Sequence, residues 1–187
     1  MLFDSHAHLN FKAFNNDFNK IIKKCLYENL WLINVGSKYD TSEKAVAIAE
    51  KYEQGVWAAI GLHPTHVGDE IFDCQKYLAL AKNSSKVVAI GETGLDFYRT
   101  KDSRLKEKQK ELFQQHLELT KELDKPLILH CRDAYDELIE LLKANSSKLK
   151  ANPGVIHCFS GNRQQAKRFL EMGFCLGFTG EIGRAHV

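Results

Sequence analysis

The sequence predicts an α/β fold, a (β/α)8 TIM barrel that is incomplete, with about seven strands present and the eighth missing. Short continuous apolar runs recur along the chain, as parallel strands buried on both faces require. Each run but the last is followed by a segment of helical period. No GxGxxG follows the first strand, as a doubly wound dinucleotide-binding sheet would want, so seven strands with six intervening helices favour the barrel.

LFDSHAH reads as the first strand, and NDFNKIIKKCLYEN as a helix with Phe18, Ile21, Ile22, Cys25 and Leu26 on one side. LWLINVG is the second strand. TSEKAVAIAEKYE is its helix, opened by a Thr or Ser cap with Glu43 in the first turn. GVWAAIGLHP is the third strand, followed by a loop and a helix around FDCQKYLALAKN. KVVAIGETGLD is the fourth. The long helix after it runs from about Ser103 to Leu123 on a stripe of Leu105, Leu112, Phe113, Leu119 and Leu123. KPLILHCRD and AYDELIELLKAN form the fifth pair, NPGVIHCFSG and NRQQAKRFLEMG the sixth, and FCLGFTG the seventh strand.

A chain of 187 residues suits one domain with a substantial core. Its 44% hydrophobic and 27% charged residues exclude a disordered chain. A net charge of +2 excludes a broadly basic body, so a nucleic-acid partner would be met by a local patch. The five cysteines are scattered and odd in number, which suits reduced thiols in the cytoplasm. The N-terminus lacks a basic stretch followed by an apolar run, so no signal peptide is expected, nor a membrane span or an obligate protein partner.

The chain ends EIGRAHV, and one reading frame of a widely used sequencing adapter translates as Ile-Gly-Arg-Ala-His-Val. Residues 182–187 are therefore expected to be adapter read-through, and residues 1–181 a single truncated barrel domain whose natural form continues past about Glu181. His186 is accordingly left out of the candidate site.

In a (β/α) barrel the active site lies at the C-terminal ends of the strands. His6 and His8, two apart, leave the first strand on the same side. His63 ends the third strand, Glu92 the fourth, His130 the fifth and His157 the sixth. Imidazoles and a carboxylate pointing into one mouth describe a divalent-metal site, zinc-like or harder. His63, before Pro64, reads equally as a turn residue, His66 as a solvated loop residue, and His116 as a helix residue outside the pattern. Cys131 and Cys158 each follow a strand-end histidine and are expected to face the helix layer as core. Asp4 either orients an imidazole or caps the strand end.

FDSHAHLN, GLHP, GETGLDFYR, the Q…F…H…L…KPLILHCRDA block, IHCFSG and GFTG together resemble the TatD-type metal-dependent hydrolases, TatD family DNases of the amidohydrolase superfamily. The resemblance is collinear from Leu2 to about Gly180. It implies a barrel of the metal-dependent hydrolase type with two divalent metal ions (Mg, Mn or Zn) that hydrolyses phosphodiesters, typically of DNA. By motif, His6 and His8 match ligands of one metal, Glu92 the bridging catalytic carboxylate, and His130 and His157 ligands of the second. The family's last ligand, an Asp ending strand eight, is absent, so this fragment is expected to be impaired.

His63, Arg99, Arg132 and Arg163 are the candidate substrate contacts, the arginines to a nucleic-acid backbone. For each arginine the plain alternative is a solvated surface or a salt bridge. Tyr98 and Phe159 are candidate stacking surfaces or loop packing. Two other functions stay open: an amidohydrolase acting on a small cyclic amide or ester, and a non-catalytic metal-binding barrel remnant. The first commonly uses a modified lysine on strand four, where this chain has Glu92.

Overall fold

A computed structural model describes residues 1–179, so the expectation for residues 182–187 lies outside the described residues. The described chain alternates strand and helix: β1 (Leu2–Ala7), α1 (Phe18–Tyr27), β2 (Leu30–Val35), α2 (Tyr39–Ala49), β3 (Val56–Ile60), α3 (Cys74–Lys82), β4 (Val87–Asp96), α4 (Ser103–Leu123), β5 (Leu127–Arg132), α5 (Tyr135–Ala144), β6 (Gly154–Ile156), α6 (Arg163–Glu171) and β7 (Cys175–Leu176). The seven strands make one sheet in sequential order, every neighbouring pair parallel. That arrangement is the wall of an open barrel, with each helix returning the chain to the start of the next strand.

Strand alternation sorts the side chains into two layers. Leu32, Val56, Ala58, Ile60, Val87, Ile90, Leu127, Leu129 and Ile156 join the helices in the large core, where Ile22, Tyr77, Phe113, Leu138 and Phe169 are fully or almost fully buried. Ile33, Val35, Ala59, Ala89 and Ile128, with Trp57, Val88 and Val155 against them, form a smaller cluster on the opposite face. His130 follows Ile128 by two and His157 follows Val155 by two, so strand period puts both imidazoles on the face of that second cluster.

Helix starts are set by polar caps. Asp102 accepts from the amides of Arg104 and Leu105 at the head of α4, and Asp73 does the same for Gln75 and Lys76 at α3. Asn162 and Gln165 form a reciprocal capping box at α6. At α2 the helix begins at Tyr39, earlier than the expected Thr or Ser cap. Thr41 acts from inside the first turn, its hydroxyl accepting from the amides of Ser37 and Lys38.

Several boundaries differ from the sequence reading. β4 runs to Asp96, where the run KVVAIGETGLD ends, so Glu92 sits inside the strand and not at its end; a register shift between Ile90 and Thr93 lets the strand keep pairing with β5. Gly94 makes that pairing possible: its φ is +133°, and a Cβ there would lie 2.1 Å from the His130 carbonyl oxygen. β6 and β7 are shorter than expected, and His157 lies one residue past β6. Cys131 is in the core as expected. Cys158 departs from expectation: with β6 finished at Ile156, alternation no longer governs it, and it borders the cavity at the strand ends. His116 proves fully buried on α4, its Nδ1–H donating to Leu112 O at 2.9 Å and its Nε2 accepting from the Leu62 amide at 3.1 Å. Its ring fixes the segment that leads into His63.

Candidate metal centre

A cavity of about 540 Å³ opens at the C-terminal ends of the strands, lined by His6, His8, His63, Glu92, His130 and His157 among others. The structure thus brings together the imidazoles and the carboxylate singled out in the sequence. Glu92 is the hub, buried on β4 with its two oxygens facing opposite ways. Its Oε2 lies 3.3 Å from His6 Nε2 and 3.7 Å from His8 Nε2. Its Oε1 lies 3.1 Å from His130 Nδ1 and 3.6 Å from His63 Nε2.

Two of the rings are aimed by a contact behind them. His8 Nδ1 donates to Val35 O at 2.9 Å, which leaves its Nε2 lone pair turned into the cavity. His130 Nε2 lies 3.0 Å from Asp96 Oδ2, which turns Nδ1 toward Glu92. Asp96 is itself fully buried and fixed: its Oδ1 accepts from the Arg99 amide, while Gln109 on α4 bonds both its backbone N–H and its carbonyl. His157 lies flat on His6, the rings 14° from parallel with centroids 3.4 Å apart.

The electrostatics follow from this packing. Burial disfavours charge on Glu92, but hydrogen bonds from His130 and His6 outweigh it and hold the carboxyl well below its ordinary range. Burial likewise opposes charge on His130, yet its bonds to Asp96 and Glu92 win and raise it to about 9. Burial, then the neighbouring His6, pushes His157 down to about 4. Burial also pushes His63 down to about 4 against the pull of Glu92. Two carboxylates and several rings are therefore held together with a single raised imidazole to balance them.

That donor set fits divalent cations. His6 Nε2 and His8 Nε2 stand 3.0 Å apart, and His6 Nδ1 is buried with no hydrogen-bond partner. Ligand atoms of His6, His8 and Glu92 converge within 4.8 Å of one another, as do those of His63, Glu92 and His130. Packing so many nitrogen lone pairs around one carboxylate is unfavourable unless a positive charge joins them. Nitrogen and oxygen donors without thiolate suit zinc, manganese or a harder ion.

The flanking candidates divide. Arg99 and Arg132 line the cavity, and the Arg132 guanidinium lies 3.8 Å over the half-exposed Tyr98 ring. Arg163 does not line it; it is exposed at the start of α6. Phe159 lines the cavity and also packs on Tyr135, Phe169 and Phe178. His66 is partly exposed and faces Asp69, and Asp4 accepts only from the His6 amide among its hydrogen bonds described. Asp96, Gln109 and Thr65 were not singled out from the sequence. Gln109 carries a signal that was available: a polar residue on the apolar stripe of α4, buried between Leu105 and Leu112, needs a hydrogen-bonding task.

Among the described residues no helix is long and apolar enough to cross a membrane, and no disulfide joins the cysteines.

Comparison with known proteins agrees with the geometry. The family model described as TatD related DNase matches residues 3–186. A Bacillus subtilis protein named as the uncharacterized metal-dependent hydrolase YabD is 35% identical over 183 residues, covering 97% of this chain and 70% of its own. The 3'-5' ssDNA/RNA exonuclease TatD of Erwinia tasmaniensis is 34% identical over 182 residues, 97% of this chain and 69% of its own. The crystal structure of the TatD homolog YjjV from Escherichia coli superposes with a TM-score of 0.83 at 32% identity, over 94% of this chain and 66% of that one. The chain thus spans about two thirds of the length of these relatives. With its motifs collinear, its sheet superposable and its histidines gathered on one buried glutamate, the chain belongs to the TatD-related DNase family.

Proposed function

We propose that the protein to which this chain belongs is a metal-dependent phosphodiesterase acting on DNA, with single-stranded ends as its substrate. The observation that carries this reading is Glu92, buried and flanked on both oxygens by imidazoles at strand ends. Two divalent ions held there would polarise a phosphoryl oxygen and activate a water for in-line attack. His6 and His8 would hold one ion, His130 and His157 the other, with Glu92 shared between them. Glu92 offsets the mutual repulsion of the two charges, which an imidazole in its place could not do. Asp96 keeps the His130 ring turned to the site. Arg99 and Arg132 at the rim are placed to meet backbone phosphates.

Support for single strands comes from the half-exposed Tyr98 ring, backed by Arg132, a surface on which an unpaired base can stack. The exonuclease named from Erwinia tasmaniensis points the same way. The test is hydrolysis of a labelled single-stranded oligonucleotide with Mg, Mn or Zn, by a chain that spans the full length of its relatives. We expect metal-dependent cleavage that disappears in His6→Ala and in His157→Ala. Cleavage of a cyclic amide but not of the oligonucleotide would replace this reading with the amidohydrolase one.

A further inference from the structure

Two histidines face the same oxygen of Glu92, and the groups behind them differ. Behind His130 stands an acceptor, Asp96 Oδ2, 3.0 Å from Nε2. The ring lies between two carboxylates, with Glu92 Oε1 3.1 Å from its Nδ1. Behind His63 stands a donor, the Thr65 amide. His63 is the N-cap of the 3-10 turn Pro64–His66, and its Nδ1 accepts from the Thr65 amide at 3.2 Å. The Thr65 hydroxyl lies 2.7 Å from the same nitrogen. An imidazole nitrogen that accepts cannot also carry the proton, so in the neutral ring the proton is on Nε2.

Nε2 is the atom turned toward Glu92, at 3.6 Å, a separation too long for a hydrogen bond. His63 therefore presents an N–H, with no lone pair, to the cavity it lines. Pro64 at the first position of the turn and the bond from the His63 amide to Ser37 O hold the backbone that enforces this.

We propose that His63 is a hydrogen-bond donor to an anionic phosphoryl oxygen of the substrate rather than a metal ligand, and that Thr65 is the positioning residue that fixes its tautomer. The proposal rests on the phosphodiesterase reading for the identity of its ligand, but the tautomer itself does not depend on metal. Proximity alone groups His63 with Glu92 and His130 as a possible ligand set. The hydrogen-bond pattern removes it from that set.

The experiment labels the histidines of the 187-residue protein with 15N and reads ring tautomers from two-bond 1H–15N correlations at neutral pH. His63 should show a pyrrole-type Nε2 and a pyridine-type Nδ1. Thr65→Val, which keeps the amide and loses the hydroxyl, should shift the ring toward mixed tautomers, and Thr65→Ser should restore it. A pyridine-type Nε2 in the parent overturns the proposal whether or not metal binds. In a second arm, elemental analysis and a titration with inorganic phosphate compare the Mn-loaded parent with His63→Ala and His63→Gln. Metal content should be unchanged in both variants. Phosphate binding should weaken about tenfold or more in His63→Ala, the usual size of a hydrogen bond to a charged group, with partial recovery in Gln. Loss of one ion per chain in a variant with parental thermal unfolding makes His63 a ligand, and equal phosphate affinity in all three proteins removes the donor role; either result overturns the proposal. Failure of the parent to take up metal would count instead against the metal-centre reading.

Discussion

The two sides of Glu92 are built differently. The Oε2 side rests on β1, where His8 is aimed by one backbone carbonyl and His6 Nδ1 is buried without a partner. The start of that strand is open, with Leu2 71% and Phe3 50% exposed. The Oε1 side rests on the central strands β4 and β5. There His130 is aimed by a buried carboxylate, and that carboxylate is clamped by Gln109 from the longest helix. The difference teaches that one site can pair a charged, cross-braced half with a lightly held one. The braced half should keep its geometry without metal, whereas the β1 half should gain order when metal binds.

The largest expected effect comes from breaking the braced half at its backbone. Gly94→Ala forces a Cβ to 2.1 Å from the His130 carbonyl oxygen, so β4 and β5 must part where both ligands are carried. We expect a destabilisation of about 3 kcal/mol or more by chemical denaturation, beyond the range of ordinary substitutions, and loss of metal uptake. Unfolding within about 1 kcal/mol of the parent would show that the close approach does not matter.

Next in size is the pH dependence of the support under His63. His116 is held neutral by burial, its proton affinity lowered to about 4 against an ordinary 6.5. The unfolded chain therefore takes up a proton that the folded chain refuses. Stability should be intact above pH 6.5 and fall by about 3 kcal/mol between there and pH 4. Thermal unfolding of His116→Gln across this window should show a shallower slope; an unchanged slope would assign the acid sensitivity elsewhere.

Asp96→Ala sharpens the comparison further. Removing the group that orients His130 should weaken one metal-binding event about 10- to 100-fold and leave the other near its parental affinity, as read by competition with a chelating dye. Equal weakening of both events would mean that the two halves are not independently braced. The smallest effect belongs to the open edge: Phe3→Ala, half-exposed and packed only on Trp57 among its ring contacts described, should cost about 1 kcal/mol, against about 3–5 kcal/mol for the buried Phe113→Ala.

The sequence made the strand order, the helix layer and the cavity-lining histidines legible, because period and strand-end placement are local properties. It was also enough to put Cys131 in the core, since alternation holds along β5. It misplaced Cys158 because β6 stops at Ile156, and strand length depends on the partner strand. It carried the fourth strand to Asp96 but set Glu92 at its end, because a register shift is invisible without the pairing of β5. Asp96, Gln109 and Thr65 escaped because a residue that aims another is recognised by the atom it touches. Arg163, next to a motif, looked equivalent to Arg99, yet α6 carries it away from the cavity.

The claim on which the whole account depends is that Glu92 serves both halves at once. Zinc titration of the parent and of Glu92→Gln, alongside their thermal unfolding, tests it most directly. The amide keeps the shape of the side chain and loses its charge, so both binding events should weaken together, by about tenfold or more, since about 1.4 kcal/mol accounts for each factor of ten, while the protein stays folded. If either event keeps its parental affinity, Glu92 is not shared between two cations, and the two-sided centre described around it is wrong.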